Sequence, residues 1–214
     1  MKATPGGQAI ADQYTAAEAA RRRQAEEATL AALRHRRFVD AARAVYTFEA
    51  DQVFPRDELM GASPARLRKW WATKDVADDL ALLQEMWSGA PPMIARLPPN
   101  QQDILREAAA MRWLWDTRIG TWLPEDFTTG LAIDRDWLPN VVQNYAWHRR
   151  EVKNLGAQRI VKEVEVGNCN DAGVCQACWA LTGRRYRLDQ VPDLPHPGCT
   201  SRTGCRCGIR AVLG

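Results

Sequence analysis

The chain has 214 residues, of which 46% are hydrophobic and 26% are charged, and its formal net charge is +3. This composition is typical of one ordinary globular domain, or of an extended helical part joined to a small module. It excludes an intrinsically disordered chain and a strongly basic nucleic-acid-binding protein.

The N-terminal quarter predicts a disordered start and then one long helix. Residues 1–8 contain a Pro-Gly-Gly sequence and are expected to be disordered, whereas residues 9–50 contain neither Pro nor Gly and are rich in Ala, Arg, Glu and Gln. Apolar residues recur there at spacings of three and four, which indicates one helix with a narrow apolar face. A helix of about 40 residues is about 60 Å long. We expect it either to pack along another long helix or a partner subunit, or to lie as a solvated helix on its own domain.

No segment of the chain predicts insertion into a membrane. No uninterrupted apolar run approaches the roughly 18 residues of a membrane span, and the first residues lack the apolar stretch of a signal peptide. We therefore expect a protein made and kept in the cytoplasm, where thiols stay reduced. A protein of a virus particle would be the exception, because it is assembled in the host cytoplasm and later leaves it.

An array of three further helices is predicted in the middle of the chain. Stretches rich in Pro and Gly separate them, and each begins after a residue suited to capping a helix N-terminus. Pro139 falls in the first turn of the last helix, where its missing N–H group is tolerated. The helices are expected at residues 64–87, 101–119 and 137–155, with Ser63, Asn100 and Asp136 at their N-caps.

The pattern changes near Gly156, where we place a domain boundary. The sequence "RIVKEVEV" sets Ile160, Val164 and Val166 against charged residues, which is typical of a strand. A hairpin containing "RRYRLD" and a final short strand "GIRAVL" are predicted after it. The expected organisation is a disordered segment 1–8, a helical region 9–156 and a cysteine-rich β module 157–214. The fold class is thus mainly α, with a long helix and a helical array followed by a small zinc-ribbon-like module.

All six cysteines lie in this last module. Two short clusters separated by about 20 residues can supply the four soft ligands of a tetrahedral zinc ion. Disulfide bonds or free thiols would also account for the cysteines. Six of them exceed one four-ligand site, so Cys169 and one of the last pair are extra or form a disulfide, or two zinc ions share ligands. The predicted zinc ligands are Cys175, Cys178, Cys199, Cys205 and Cys207, with His196 and Cys169 as additional candidates.

The module resembles the C-terminal motif of phage head-morphogenesis proteins, the Mu-F-like minor head proteins. That motif has a strand, a C-x2-C pair, a Leu and Gly before an aromatic residue, and then a Pro, an HP pair and a CRC sequence. The chain departs from it at one extra residue after Cys178 and at an insertion, Thr200 to Gly204. The matching positions are Cys175, Cys178, Leu181, Gly183, Tyr186, Pro195, His196, Pro197, Cys205 and Cys207.

The resemblance implies a virion structural protein of the head, portal or neck, present in few copies and acting in assembly. Its expected partners are other virion proteins and further copies of itself. The runner-up is a bacterial zinc-ribbon adaptor that binds protein or nucleic acid. From Gln158 onward the sequence contains eight Lys/Arg and five Asp/Glu. This weak basic bias predicts weak nucleic-acid binding at most.

Other chemistry has little support in the sequence. The H-x-E and P-C-x-x-C motifs of zinc deaminases are absent, as are H-E-x-x-H, G-x-S-x-G and phosphate-loop motifs, so no enzymatic activity is expected. Nine tryptophans lie between residues 70 and 179. They indicate a Trp-rich helical core, with some of them at protein interfaces.

Overall fold

Contacts divide the chain into two units, Met1–Asp79 and Leu80–Gly214. The structure is a computed structural model that describes residues 5–59, 76–115, 122–158, 160–168 and 173–213, with the side chains of residues 16–49 in the first of these ranges. The predicted boundary near Gly156 falls inside the second unit. The cysteine module therefore lies in one unit with the helices that precede it.

The described residues are mainly helical, and a three-stranded antiparallel sheet lies near the C-terminus. A mainly α fold with a small C-terminal β module is therefore confirmed, while the zinc-ribbon assignment stays a prediction. None of the described helices is both long and apolar enough to cross a membrane. The helices are α1 (Pro5–Arg34), α2 (Phe38–Leu59), α3 (Val76–Ser88), α4 (Pro99–Leu114), α5 (Leu138–Ala157) and α6 (Gln176–Leu181), and the strands are β1 (Val161–Gly167), β2 (Arg185–Arg187) and β3 (Gly208–Leu213).

The prediction of one continuous long helix is wrong, because α1 and α2 form a helical hairpin. The backbone of Arg36 is left-handed, with φ of 55°. The Arg36 N–H donates to the Leu33 carbonyl at 2.8 Å, and the Arg37 N–H donates to the Ala32 carbonyl at 2.9 Å. This pair of bonds is a Schellman motif, which ends a helix and usually has Gly at the left-handed position. Here an arginine adopts it, so the usual sequence signal is missing.

The helical hairpin buries small side chains along its seam. Ala32, Leu33, Ala41, Ala42 and Val45 are all almost fully buried. The predicted apolar face includes Ala42 and Val45, but its Ala28 and Ala31 are exposed and the neighbouring Ala32 and Leu33 are buried instead. The helix that packs along α1 is thus α2, which begins inside the segment predicted as one long helix. Residues 5–8, expected to be disordered, belong to α1, and residues 1–4 lie outside the described residues.

The second unit has a helical core built from α3, α4 and α5. The side chains at its centre are large and aliphatic: Leu82, Leu83, Met86, Leu105, Met111, Val141 and Val142 are at most 2% exposed. α5 follows a 3-10 turn at Arg135–Trp137 and has Pro139 in its first turn, as predicted. α4 begins after Pro98 and ends at Leu114. The N-terminal half of the helix predicted at residues 64–87 lies outside the described residues.

The sheet has the strand order β2-β1-β3, with both neighbours antiparallel to β1. Val164 and Val166 are buried as predicted, but Ile160 is 71% exposed and Val161 is buried instead. The pairing of β1 with β3 shifts between Val161 and Glu163. Such a bulge adds one residue to the strand and changes which side chains share a face. Strict alternation therefore selects the wrong residue at this end.

Candidate metal centre

The first pair of cysteines lies at the start of α6. Cys175 is the N-cap residue and Cys178 lies one turn further along, so both side chains lie on one side of the helix. Behind them, the Gly183 N–H donates to the Val166 carbonyl at 2.8 Å and the Val166 N–H donates to the Arg184 carbonyl at 3.0 Å. These bonds connect α6 to β1 and start the short strand β2. The turn at Gly183 thus fixes the position of α6, and with it the positions of Cys175 and Cys178, relative to β1.

The second group of cysteines lies on an irregular segment between the two edge strands of the sheet. The Cys199 N–H donates to the His196 carbonyl at 2.8 Å, and the Gly204 N–H donates to the Ser201 carbonyl at 3.1 Å. Two consecutive turns therefore occupy the segment, and Gly204 has the left-handed φ of 75°. Cys205 and Cys207 follow the second turn. In extended backbone, residues i and i+2 face the same side, which brings both thiols to the same place.

The insertion between Cys199 and Cys205 contacts the helical core. A Cβ atom added at Gly204 would lie 3.2 Å from Val141 Cγ2, so the turn approaches α5 closely. The Asn144 side chain donates to the Cys205 carbonyl at 2.7 Å. At the other end of the turn, the Asp134 N–H donates to the Arg202 carbonyl at 2.9 Å. The insertion thus positions Cys205 on the surface of α5.

Five thiols converge between α6 and this segment. Sγ of Cys199 lies 3.7 Å from Sγ of Cys175 and 3.8 Å from Sγ of Cys178, and Sγ of Cys178 lies 3.6 Å from Sγ of Cys205. A zinc ion with Zn–S bonds of about 2.3 Å separates its tetrahedral sulfurs by about 3.8 Å. The three sulfur–sulfur distances therefore match the edges of a zinc tetrahedron.

The thiols form two groups of three that share one member. The sulfurs of Cys175, Cys178 and Cys199 lie within 4.8 Å of one another, and so do those of Cys178, Cys205 and Cys207. Both groups are geometries that can hold a metal ion. A void of about 10 Å³ lies among these residues, which is about the space of one small ion or one water and excludes an organic ligand.

None of the described cysteines is at disulfide-bonding distance from another. The sulfur–sulfur distances of 3.6–3.8 Å are far above the roughly 2.05 Å of a covalent bond. All five described cysteines are free thiols, four buried and Cys207 half-buried.

The thiols influence one another's protonation. Burial raises the pKa of Cys175, but hydrogen bonds from the backbone N–H groups of Cys178 and Thr200 outweigh it and bring the pKa to about 7. Hydrogen bonds with Cys199 and Cys205 raise the pKa of Cys178, and those from Cys178 and Cys199 lower the pKa of Cys205. The cluster thus holds thiol protons between closely spaced sulfurs. A metal cation would replace these protons, since metals bind the thiolate form.

Of the two remaining candidate ligands, His196 is not part of this cluster. Within the described part of the chain, neither group of candidate metal ligands includes His196. Its Nδ1 atom accepts a hydrogen bond from the Gly198 N–H at 3.0 Å, so the histidine helps to form the turn that leads to Cys199. Cys169 lies outside the described residues.

Sequence reasoning missed the residues that hold the cluster against the helices. His148 on α5 is 3% exposed, and its Nε2 lies 3.1 Å from the Pro192 carbonyl. A carbonyl only accepts, so this nitrogen donates. Burial lowers the pKa of His148, against the opposing effect of that bond, and so favours the neutral ring. His148 and Asn144 lie one turn apart on one face of α5, and this spacing is the only signal in the sequence.

No model of a known protein family matches the chain, and comparisons with curated proteins and with solved structures find no match. The resemblance to phage minor head proteins therefore stays a prediction that depends on the cysteine motif.

Proposed function

We propose that the protein is a non-enzymatic structural protein whose C-terminal module is folded around one zinc ion. The ligands in this proposal are Cys175, Cys178, Cys199 and Cys205, the four buried thiols of the cluster. The observation that carries the proposal is the spacing of their sulfurs, 3.6–3.8 Å along three of the six edges, since a zinc tetrahedron requires about 3.8 Å. Cys205 is grouped with Cys178 and Cys207 and not with Cys175 and Cys199, so it has to move towards those two when the ion binds.

A structural role for the ion follows from the ligand set. Catalytic zinc sites have three protein ligands and keep one position open for water or substrate. Here the cluster offers a fifth thiol, Cys207, beyond the four ligands that zinc needs. A void of about 10 Å³ beside the thiols also leaves no room for a substrate. The proposed ion therefore contributes to folding and to the shape of the surface.

The proposed setting is a phage or prophage virion, at the head, portal or neck, where the module would contact other virion proteins. Support comes from the motif resemblance and from large aromatic side chains left at the surface. Trp147 is 43% exposed and Trp179 is 49% exposed, and tryptophan is enriched among residues that dominate protein–protein binding. Trp115 is the only buried tryptophan among the described residues, so the prediction of a Trp-rich core is wrong for the part of the chain that the structure describes.

Nucleic-acid binding by a zinc-ribbon adaptor is the less favoured function. Arginines of the module would have to contact phosphates, but several of them form salt bridges with Asp or Glu side chains. Arg210 and Arg185 both pair with Glu165, and Arg187 pairs with Asp189 at 3.1 Å. A titration with DNA or RNA at low salt tests this directly, and a salt-sensitive complex would favour the adaptor.

Metal analysis of the purified protein, with thiol counting, tests the zinc centre. We expect one zinc per chain and no cystine, retained in Cys207→Ser and lost in Cys205→Ser. Absence of metal together with blocked thiols would overturn the proposal. Mass spectrometry of purified particles, and portal and terminase genes beside this one, test the virion setting separately. Particles that lack the protein would reject that setting and leave the zinc centre standing.

A further inference from the structure

The five described thiols exceed the needs of one zinc ion, and the excess thiol lies inside the cluster. Cys207 is half-buried and its sulfur is within 4.8 Å of those of both Cys178 and Cys205. Cys205 and Cys207 face the same side because they are two residues apart. A single tetrahedral ion takes one of this pair, so one thiol of the cluster is left over when one zinc is bound.

Cys178 is the residue common to both groups of sulfurs. It is almost fully buried and α6 holds it between the thiols of Cys199, at 3.8 Å, and Cys205, at 3.6 Å. A thiolate has several lone pairs and can bridge two metal ions. Each group of three is then a complete trigonal ligand set, with Cys178 as the shared corner.

We propose that the cluster also binds a pair of monovalent soft metal ions, with copper(I) as the natural candidate. One ion would be bound by Cys175, Cys178 and Cys199, the other by Cys178, Cys205 and Cys207. This inference deepens the proposed function, because it depends on the same thiols being a metal site. It adds a second ion, the chemical class of that ion and a role for Cys207.

The ligand count separates this pair from a pair of zinc ions. Two tetrahedral ions that share one thiolate need seven donors, whereas two trigonal ions that share one need five. The five described thiols therefore suit ions that accept three sulfurs, and soft thiolate ligands favour copper(I). At a metal–sulfur distance of about 2.3 Å, a trigonal ion separates its sulfurs by about 4.0 Å. The sulfurs of each group, all within 4.8 Å of one another, are close to that spacing.

The charge of the thiolates in the cluster is suited to a pair of copper(I) ions. Two monovalent ions leave part of the charge of five thiolates, and the backbone N–H groups of Cys178, Thr200, Ser201 and Cys207 are directed at the sulfurs. These donors stabilise negative charge without adding a cation. The void of about 10 Å³ has space for one bare ion, so binding of the second ion has to spread the sulfurs.

The test is an anaerobic titration of the full chain with copper(I), buffered by a competing chelator. Cys169→Ser is used as the background, so that only the five described thiols are present. We expect two copper ions per chain and release of any bound zinc. In the same background Cys207→Ser should bind one copper under conditions where its parent binds two, while it retains one zinc. Cys178→Ser should lose both the copper pair and the zinc.

Copper content and zinc content separate this inference from the proposed function. One copper per chain, or two in the Cys207→Ser variant, would overturn the copper pair and leave the zinc centre intact. Two copper ions in a protein that binds no zinc would overturn the zinc centre and leave the copper pair standing.

Discussion

The helical core of the second unit and its cysteine segment, residues 173–207, are stabilised in different ways. The core buries large aliphatic side chains from three helices, such as Leu83, Met111 and Val141. The buried side chains of the cysteine segment are Leu194, Pro195, Ser201 and the thiols of Cys175, Cys178, Cys199 and Cys205. So short a segment with so little apolar burial needs a covalent or metal link to hold its fold. The helical core does not.

The largest expected effect is that of removing the metal. Zinc binding at thiolate sites contributes about 10 kcal/mol or more to folding at neutral pH, so the metal-free, reduced protein should lose structure in residues 173–207. Helices α3, α4 and α5 should keep theirs, because their core does not include the ion. Hydrogen exchange measured by mass spectrometry resolves the two regions. Restored protection after zinc is added back is the control. Unchanged protection of residues 173–207 in the metal-free protein would show that this segment does not depend on a metal for its fold.

Glu85→Gln should affect the helical core instead. The Glu85 side chain is 8% exposed, and its carboxylate accepts from Arg149 Nε at 2.6 Å and from Lys153. Removing one partner of a buried ion pair costs about 3–5 kcal/mol. Because Arg149 and Lys153 are 34% and 60% exposed, water solvates the charges that remain, and we expect about 1–2 kcal/mol in urea unfolding. Glu125→Gln, at an exposed position, is the control. Equal effects of the two variants would show that the ion cluster is not part of what stabilises the core.

Acid should weaken the helical core through the same residue. Burial raises the pKa of Glu85, but hydrogen bonds from Lys153 and Arg149 outweigh it and lower the pKa below its usual value. The unfolded pKa of a glutamate is about 4.3. The stabilisation is therefore complete above that pH and is lost as the pH falls through the lower folded pKa. The stability difference between wild type and Glu85→Gln should shrink in this range, and a constant difference from pH 7 to pH 3 would reject the assignment.

Gly204→Ala tests the contact between the two regions. Gly204 and Gly183 both have φ of 75°, but only at Gly204 would a Cβ meet another residue, Val141. Left-handed backbone costs a non-glycine residue about 1 kcal/mol, so Gly183→Ala should lose about that much. Gly204→Ala should lose about 2 kcal/mol in all, because the turn must also move away from α5. Equal losses in the two variants, measured by urea unfolding, would mean that this contact contributes nothing.

Arg202→Gln should have the smallest effect. Arg202 Nη2 lies 2.9 Å from Asp134, but the arginine side chain is 79% exposed. Exposed ion pairs contribute between 0 and 1 kcal/mol. The loss in unfolding free energy should stay below about 0.5 kcal/mol, and a zinc content unchanged from wild type is expected. A loss comparable to that of Gly204→Ala would mean that the salt bridge, and not packing at Val141, holds the insertion to the helices.

The sequence predicts those elements whose signals are local. Alternation predicts β1 and β2, and Asp136 with Pro139 predicts the start of α5 to within two residues. The pair Cys175 and Cys178 is predicted from its C-x2-C spacing. Each of these features depends on a few consecutive residues, so no knowledge of the rest of the fold is required. The hairpin predicted around "RRYRLD" is wrong, because β2 pairs with β1 across a connection that contains α6.

The features that sequence reasoning missed depend on contacts between distant residues or on rare backbone conformations. The end of α1 depends on a left-handed arginine, a conformation that sequence patterns assign to glycine. The role of the insertion from Thr200 to Gly204 depends on its contact with Val141, which is distant in the sequence. The choice among five thiols depends on which sulfurs meet in space, and spacing along the chain leaves all of them as candidates.

X-ray absorption at the zinc edge of the purified protein tests the central claim most directly, because it counts the atoms bound to the ion. We predict one zinc per chain, bound by four sulfurs at about 2.3 Å and unchanged in the Cys207→Ser variant. A zinc shell with nitrogen or oxygen atoms, or a zinc shell that loses a sulfur in Cys207→Ser, would contradict it.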